Sequence, residues 1–150
     1  MARKTLKVFL DSNVILSGLL SDKGAPRVIL DILCLGLPFL KGATGEYNLF
    51  EIERNIQKRL PAILDIYQSY IQKLRLEIVS LPPLKAVKSY FGKIADKDAP
   101  VLASAVISGA DCLVTGDKKD FGPFRNDASF SPKIVSPPEI VILLGSAHSE

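Results

Sequence analysis

Short apolar runs separated by segments of helical period set the terms for this chain. Five such runs stand out, at residues 7–11, 37–42, 76–81, 111–115 and 133–135. Between them, apolar residues return at helical spacing over 13–20, 26–35, 44–60 and 100–108, and again from Pro61 onward. Leu49, Ile52, Ile56 and Leu60 form one such stripe; Leu64, Tyr67, Ile71 and Leu74 form the next. Strand alternating with helix predicts an α/β fold around a mostly parallel sheet of about five strands. The breaks carry their own signals. Gly24-Ala25-Pro26 separates two helices, Pro82-Pro83 stops a strand, and Gly109 closes a helix. Ser136-Pro137-Pro138-Glu139 reads as a capping box, with Ser136 as cap and Glu139 as its reciprocal acid.

With 150 residues the chain makes one domain, 1–150, with a core expected over about 6–144 and a disordered tail over 145–150. Apolar residues make up 47%, enough for a core without disulfides, and Cys34 and Cys112 are expected to be reduced. The longest apolar stretch, 28–40, is interrupted by Asp31 and Pro38, so no membrane span is expected. The opening Met-Ala-Arg-Lys-Thr leads straight into a strand, which implies no secretory leader and a cytoplasmic protein.

Several chemistries are missing from the residue list. The one histidine, His148, sits third from the end, which argues against a catalytic triad, a Cys-His pair or a histidine-rich zinc site. There is no Gly-x-Gly-x-x-Gly and no Walker-type Gly-Lys-Ser/Thr. Carboxylates are left to do the work. Asp11 ends the first run and Asp117 lies two residues past the fourth, with Asp120 close behind; Asp98 opens a helix. In a parallel sheet, ligands bind beyond the carboxyl ends of the strands, and these acids fall at that edge. Glu51 flanks an apolar stripe and can point along the same edge, with Arg54, Asn55 and Lys58 on its helical face. Two carboxylates about 4 Å apart repel by roughly 4 kcal/mol at an effective dielectric near 20. A cluster of four needs protons or a divalent cation, and an all-oxygen donor set favours Mg²⁺ or Mn²⁺. The net charge is +3, so the surround is basic and suits a phosphate-bearing substrate. An isolated acid in any of these places is more simply a turn former or helix cap; the joint placement carries the functional reading.

The ordered set resembles the PIN-domain family, in particular its toxin branch of VapC-like ribonucleases. Val8-Phe-Leu-Asp11-Ser-Asn13 is similar to that family's opening, and Glu51-Ile-Glu-Arg-Asn-Ile56 to its Glu-bearing helix. Asp98-Ala-Pro-Val-Leu-Ala-Ser-Ala105 is similar to its third acidic motif, and Ala110-Asp-Cys-Leu-Val-Thr115-Gly-Asp117-Lys-Lys-Asp120-Phe121 is the strongest match. The resemblance implies that the fold is a three-layer α/β/α sandwich. It also implies a metal-dependent endoribonuclease with Asp11, Glu51, Asp98 and Asp117 as catalytic acids and ligands of one or two Mg²⁺ or Mn²⁺ ions. Asp120 is a fifth acid acting through water, and Asn13 and Thr115 orient the carboxylates. Arg54, Lys118, Lys119 and Arg125 are candidate phosphate contacts. RNA is the implied substrate, a cognate antitoxin an implied partner, and a homodimer through helices over 62–74 is a further option, with core packing of those helices ranked above it. Glu46 and Glu53 rival Glu51, and Asp96 rivals Asp98; the flanking residues favour Glu51 and Asp98. Asp111 precedes its strand and reads as a turn residue at the far end of the sheet. Two other readings compete. One is a PIN fold that binds RNA or a partner without cutting. The other is a haloacid-dehalogenase-like phosphohydrolase, weakened because Asn13 stands where that class needs its second Asp.

Overall fold

The structure, a computed structural model, describes residues 5–147. The opening four residues and His148 therefore lie outside it. The chain runs β1 (Leu6–Leu10), α1 (Ser12–Leu20), α2 (Ala25–Cys34), β2 (Leu40–Gly45), α3 (Glu46–Arg59), α4 (Leu64–Lys73), β3 (Glu77–Val79), α5 (Leu84–Lys88), α6 (Ala99–Ser108), β4 (Cys112–Val114), β5 (Lys133–Val135) and α7 (Pro137–Ala147). All five strands are parallel, in the order β3-β2-β1-β4-β5.

Strand periodicity sorts the side chains into two cores. Val8 and Leu10 of β1 face one way with Cys112 and Val114 of β4; Phe9 and Leu113 face the other. The first face is covered by α1, α2, α3, α4 and α7, through residues such as Ile15, Leu30, Ile52, Tyr67 and Ile140. The second is covered by α6, through Val101, Leu102 and Ala105, and by Phe121 from the 3₁₀ segment Lys118–Asn126. This is the expected three-layer α/β/α arrangement. Small residues at 99, 103 and 105 let α6 lie close to the sheet and to α5. No helix among the described residues is long and apolar enough to cross a membrane.

Several boundaries differ from the sequence reading. β1 stops at Leu10, and Asp11 leaves the strand to cap α1. β2 begins at Leu40 rather than 37, because Gly36 (φ 66°) and the turn closed by Leu40 N–H donating to Leu37 O use up the earlier residues. Thr44, assigned to a helix, belongs to β2, and its hydroxyl donates to Leu10 O at 2.8 Å. The α3 stripe is also shifted. Asn48, Ile52 and Ile56 are the buried positions, while Leu60 is exposed. α5 and the 3₁₀ segment at 118–126 carry no sequence signal of comparable strength, being short and, in the second case, interrupted by Gly122 and Pro123. α7 continues to Ala147, so residues 145–147, expected in a tail, are helical. The capping box forms as read. Ser136 N–H donates to Glu139 Oε1 at 3.1 Å and Glu139 N–H to Ser136 Oγ at 3.3 Å.

Candidate active site

The strand order reverses direction between β1 and β4: from β1 the chain moves to β2 and β3 on one side, while β4 leads to β5 on the other. A cleft opens at that point beyond the carboxyl ends of the strands, as expected for a parallel sheet. Its volume is about 210 Å³, and Asp11, Glu51, Asp98, Asp117 and Asp120 all line it.

Asp11 enters from β1. As cap of α1 it accepts the Ser12 N–H on Oδ1 at 2.7 Å, and Oδ2 accepts the Thr115 hydroxyl at 2.9 Å. Burial is the main influence on its carboxyl and pushes the pKa up to about 6; the two hydrogen bonds pull it down, and the charges of Glu51 and Asp98 add to the rise. Thr115 is fully buried just past β4. Its hydroxyl also accepts the Asp117 N–H at 3.1 Å, so one side chain ties the two strand ends together. Asn13 bridges the same gap. Its Oδ1 accepts the Gly116 N–H at 3.1 Å, and its Nδ2 lies 3.4 Å from Asp117 Oδ2.

Asp98 caps α6 in position only, without a side-chain hydrogen bond to the helix. Its carboxyl is raised, first by burial and then by Asp120, with Glu51 and Asp117 adding and Lys97 opposing. Tyr47 fixes the approach to it, donating its hydroxyl to Lys97 O at 3.3 Å. The Tyr47 phenol is itself raised by burial and by the charges of Glu51 and Asp98. Glu51 projects from α3 and accepts the Ser12 hydroxyl at 3.0 Å.

The rival acids go elsewhere. Glu46 accepts the Leu81 N–H at 3.3 Å past β3, and Glu53 faces Tyr67 on the α4 side. Asp96 is exposed in the turn before α6. Asp111 accepts the Lys7 N–H at 2.8 Å at the opposite end of the sheet. The basic candidates are dispersed. Arg54 is exposed beside Tyr47, and Lys119 is exposed. Lys118 is held by Glu139 at 2.8 Å, and Arg125 lines a separate recess with Lys133. Ser12, Asn48 and Lys97 were missed. Ser12 and Lys97 are cleft residues between already suspected neighbours, and Asn48 carried one signal, a polar residue in register with Ile52 and Ile56.

The donor set fits a hard cation: it is all oxygen, and burial and mutual charge raise two of its carboxyls. Among the described residues no three acids are drawn into a ready-made cage.

A family model described as "PIN domain" matches residues 7–119. Among solved structures, a chain of VapBC2 from Rickettsia felis, crystallised bound to a DNA fragment from its promoter, is 18% identical with a TM-score of 0.59, covering 87% of this chain and 97% of that one. No curated protein matches. The likeness to the Rickettsia chain is one of fold, whereas the family model spans residues 7–119, well over half of the chain, so the chain belongs to the PIN-domain family.

Proposed function

We propose that the protein is a divalent-cation-dependent endoribonuclease. The observation that carries this reading is the convergence of Asp11, Glu51, Asp98 and Asp117, from four separate elements, on one cleft at the point where the strand order reverses. These four would hold one or two Mg²⁺ or Mn²⁺ ions, with Asp120 acting through water. When bound, the cation lowers the pKa of a water and offsets charge on the phosphate oxygens. The chain's own task is orientation. Thr115 and the Ser12 N–H fix both oxygens of Asp11, and Asn13 and Thr115 fix the loop that carries Asp117. Lys97, on the cleft wall, offers positive charge to the RNA backbone, with Arg54, Lys119 and Arg125 as further surface candidates, whereas Lys118 must first leave Glu139. Water attacks phosphorus and the bond to the 3′ oxygen breaks, leaving a 5′-phosphate and a 3′-hydroxyl. The fold shared with a VapBC2 chain and the family resemblance support a toxin role with an antitoxin partner and leave room for a homodimer.

The test is cleavage of end-labelled single-stranded RNA with Mn²⁺, Mg²⁺ or EDTA, beside Asp98→Asn. Cutting should require the cation, leave 5′-phosphates, and fall roughly a hundred-fold or more in the variant. RNA that is bound yet stays intact across a varied pool would favour a binding module. Cutting that survives EDTA and Asp98→Asn would overturn the mechanism.

A further inference from the structure

Asn48 occupies a place where the fold asks for an apolar side chain. It shares the inward stripe of α3 with Ile52 and Ile56, and all three are at most 1% exposed. A buried amide there is unfavourable unless it is paired, and its Oδ1 is buried without a partner. The amide nitrogen, by contrast, is fully engaged. Nδ2 lies 2.9 Å from Ser12 Oγ and 3.4 Å from Asp11 Oδ1. Ser12 has one hydroxyl hydrogen, and Glu51 Oε1 at 3.0 Å is its nearer acceptor. The chain of donation therefore runs from Asn48 to Ser12 to Glu51, with a branch from Asn48 to Asp11. Reversing the amide would set its oxygen against the Asp11 carboxylate, so these partners fix its orientation.

We propose that Asn48 is a positioning residue whose amide ties Asp11 directly, and Glu51 through Ser12, and so sets how tightly the cleft holds a divalent cation. The inference rests on the cation-binding reading above. Two carboxylates on different elements repel each other, and the donors between them are what holds them at a fixed separation. The local packing is built around this side chain. A Cβ added at Gly45 would lie 2.8 Å from Asn48 Oδ1 and 3.2 Å from Ser104 Oγ on α6, the helix headed by Asp98. Asn48 thus stands where α1, α3 and α6 meet.

The experiment is Mn²⁺ binding by calorimetry to the full chain and to Asn48→Leu and Ser12→Ala, with melting in EDTA and RNA cleavage across a Mn²⁺ series. Asn48→Leu should weaken Mn²⁺ binding roughly ten- to hundred-fold. Its melting midpoint in EDTA should match or exceed that of the wild type, its KM for RNA should not change, and excess Mn²⁺ should restore much of its rate. Ser12→Ala should shift Mn²⁺ affinity in the same direction. Wild-type Mn²⁺ affinity in a folded Asn48→Leu overturns the proposal. Should that variant not fold, unchanged affinity in Ser12→Ala overturns it. A wild type that binds Mn²⁺ and cuts RNA alongside two unaffected variants sinks this inference alone; a wild type that does neither sinks the nuclease reading with it.

Discussion

Asp11 is the residue at which burial and ionisation pull in opposite directions. Its carboxyl is raised from 3.8 to about 6 in the folded chain, chiefly by burial. Between those values the folded state holds more protons than the unfolded one, so stability falls as pH rises through the window. At neutral pH the ionised group costs about 3 kcal/mol on this basis. Asp11→Asn should therefore raise the melting temperature at pH 7, by roughly 2–4 °C per kcal/mol recovered, with the gain shrinking toward pH 4. Calorimetry at the two pH values checks this, and a variant that melts below the wild type at pH 7 would refute it. The residue scale is also where the sequence was most informative. Asp11, Asp98 and Asp117 announce themselves by following a strand or heading a helix, and the structure places all three on one cleft wall. Asn48 does not, because its role depends on Ser12, a residue on another helix and far away in sequence.

At the scale of elements, the contact between α1 and α2 depends on the absence of a side chain at Gly18. A Cβ there would press into Leu30 Cδ1 and Cγ and sit 3.2 Å from the Pro26 backbone. Leu30 is fully buried and cannot swing aside into solvent. Gly18→Val should destabilise by about 1–3 kcal/mol through overpacking, read as a lower urea midpoint with an unchanged slope. The same distinction explains which elements were legible. Helices with a stop or a cap, such as α6 with Gly109 in the left-handed region and α7 with its Ser136/Glu139 box, were found close to their true starts or ends. β2 was misplaced because its start depends on a turn at Gly36 and its end on Thr44 and Gly45 pairing with β3, both tertiary matters. The 3₁₀ segment at 118–126 contributes one buried ring, Phe121, and too few periodic positions to register as an element.

For the whole molecule, the proposed cation binding would share one equilibrium with folding. The cleft acids come from the caps of α1 and α6, from α3 and from the segment after β4, and they converge only when the sheet has formed. A cation that binds the folded chain alone adds about 2.7 kcal/mol at a hundred times its Kd. Adding Mn²⁺ should therefore raise the melting temperature of the wild type, EDTA should reverse it, and Asp98→Asn should blunt the shift. Equal shifts in the wild type and the variant would place the ion elsewhere on the surface.

A sheet whose strands all run the same way has two unlike ends. Asp11, Thr115 and Asp117 gather at one of them; the Gly109 turn and Asp111, clasped to Lys7, occupy the other. The molecule thus comes with a handle. A dye, a tether or a solid support attached through Lys133, exposed at the start of β5 on that same end, is held behind the whole length of the sheet, and a long polymer can thread past the opposite end without meeting it.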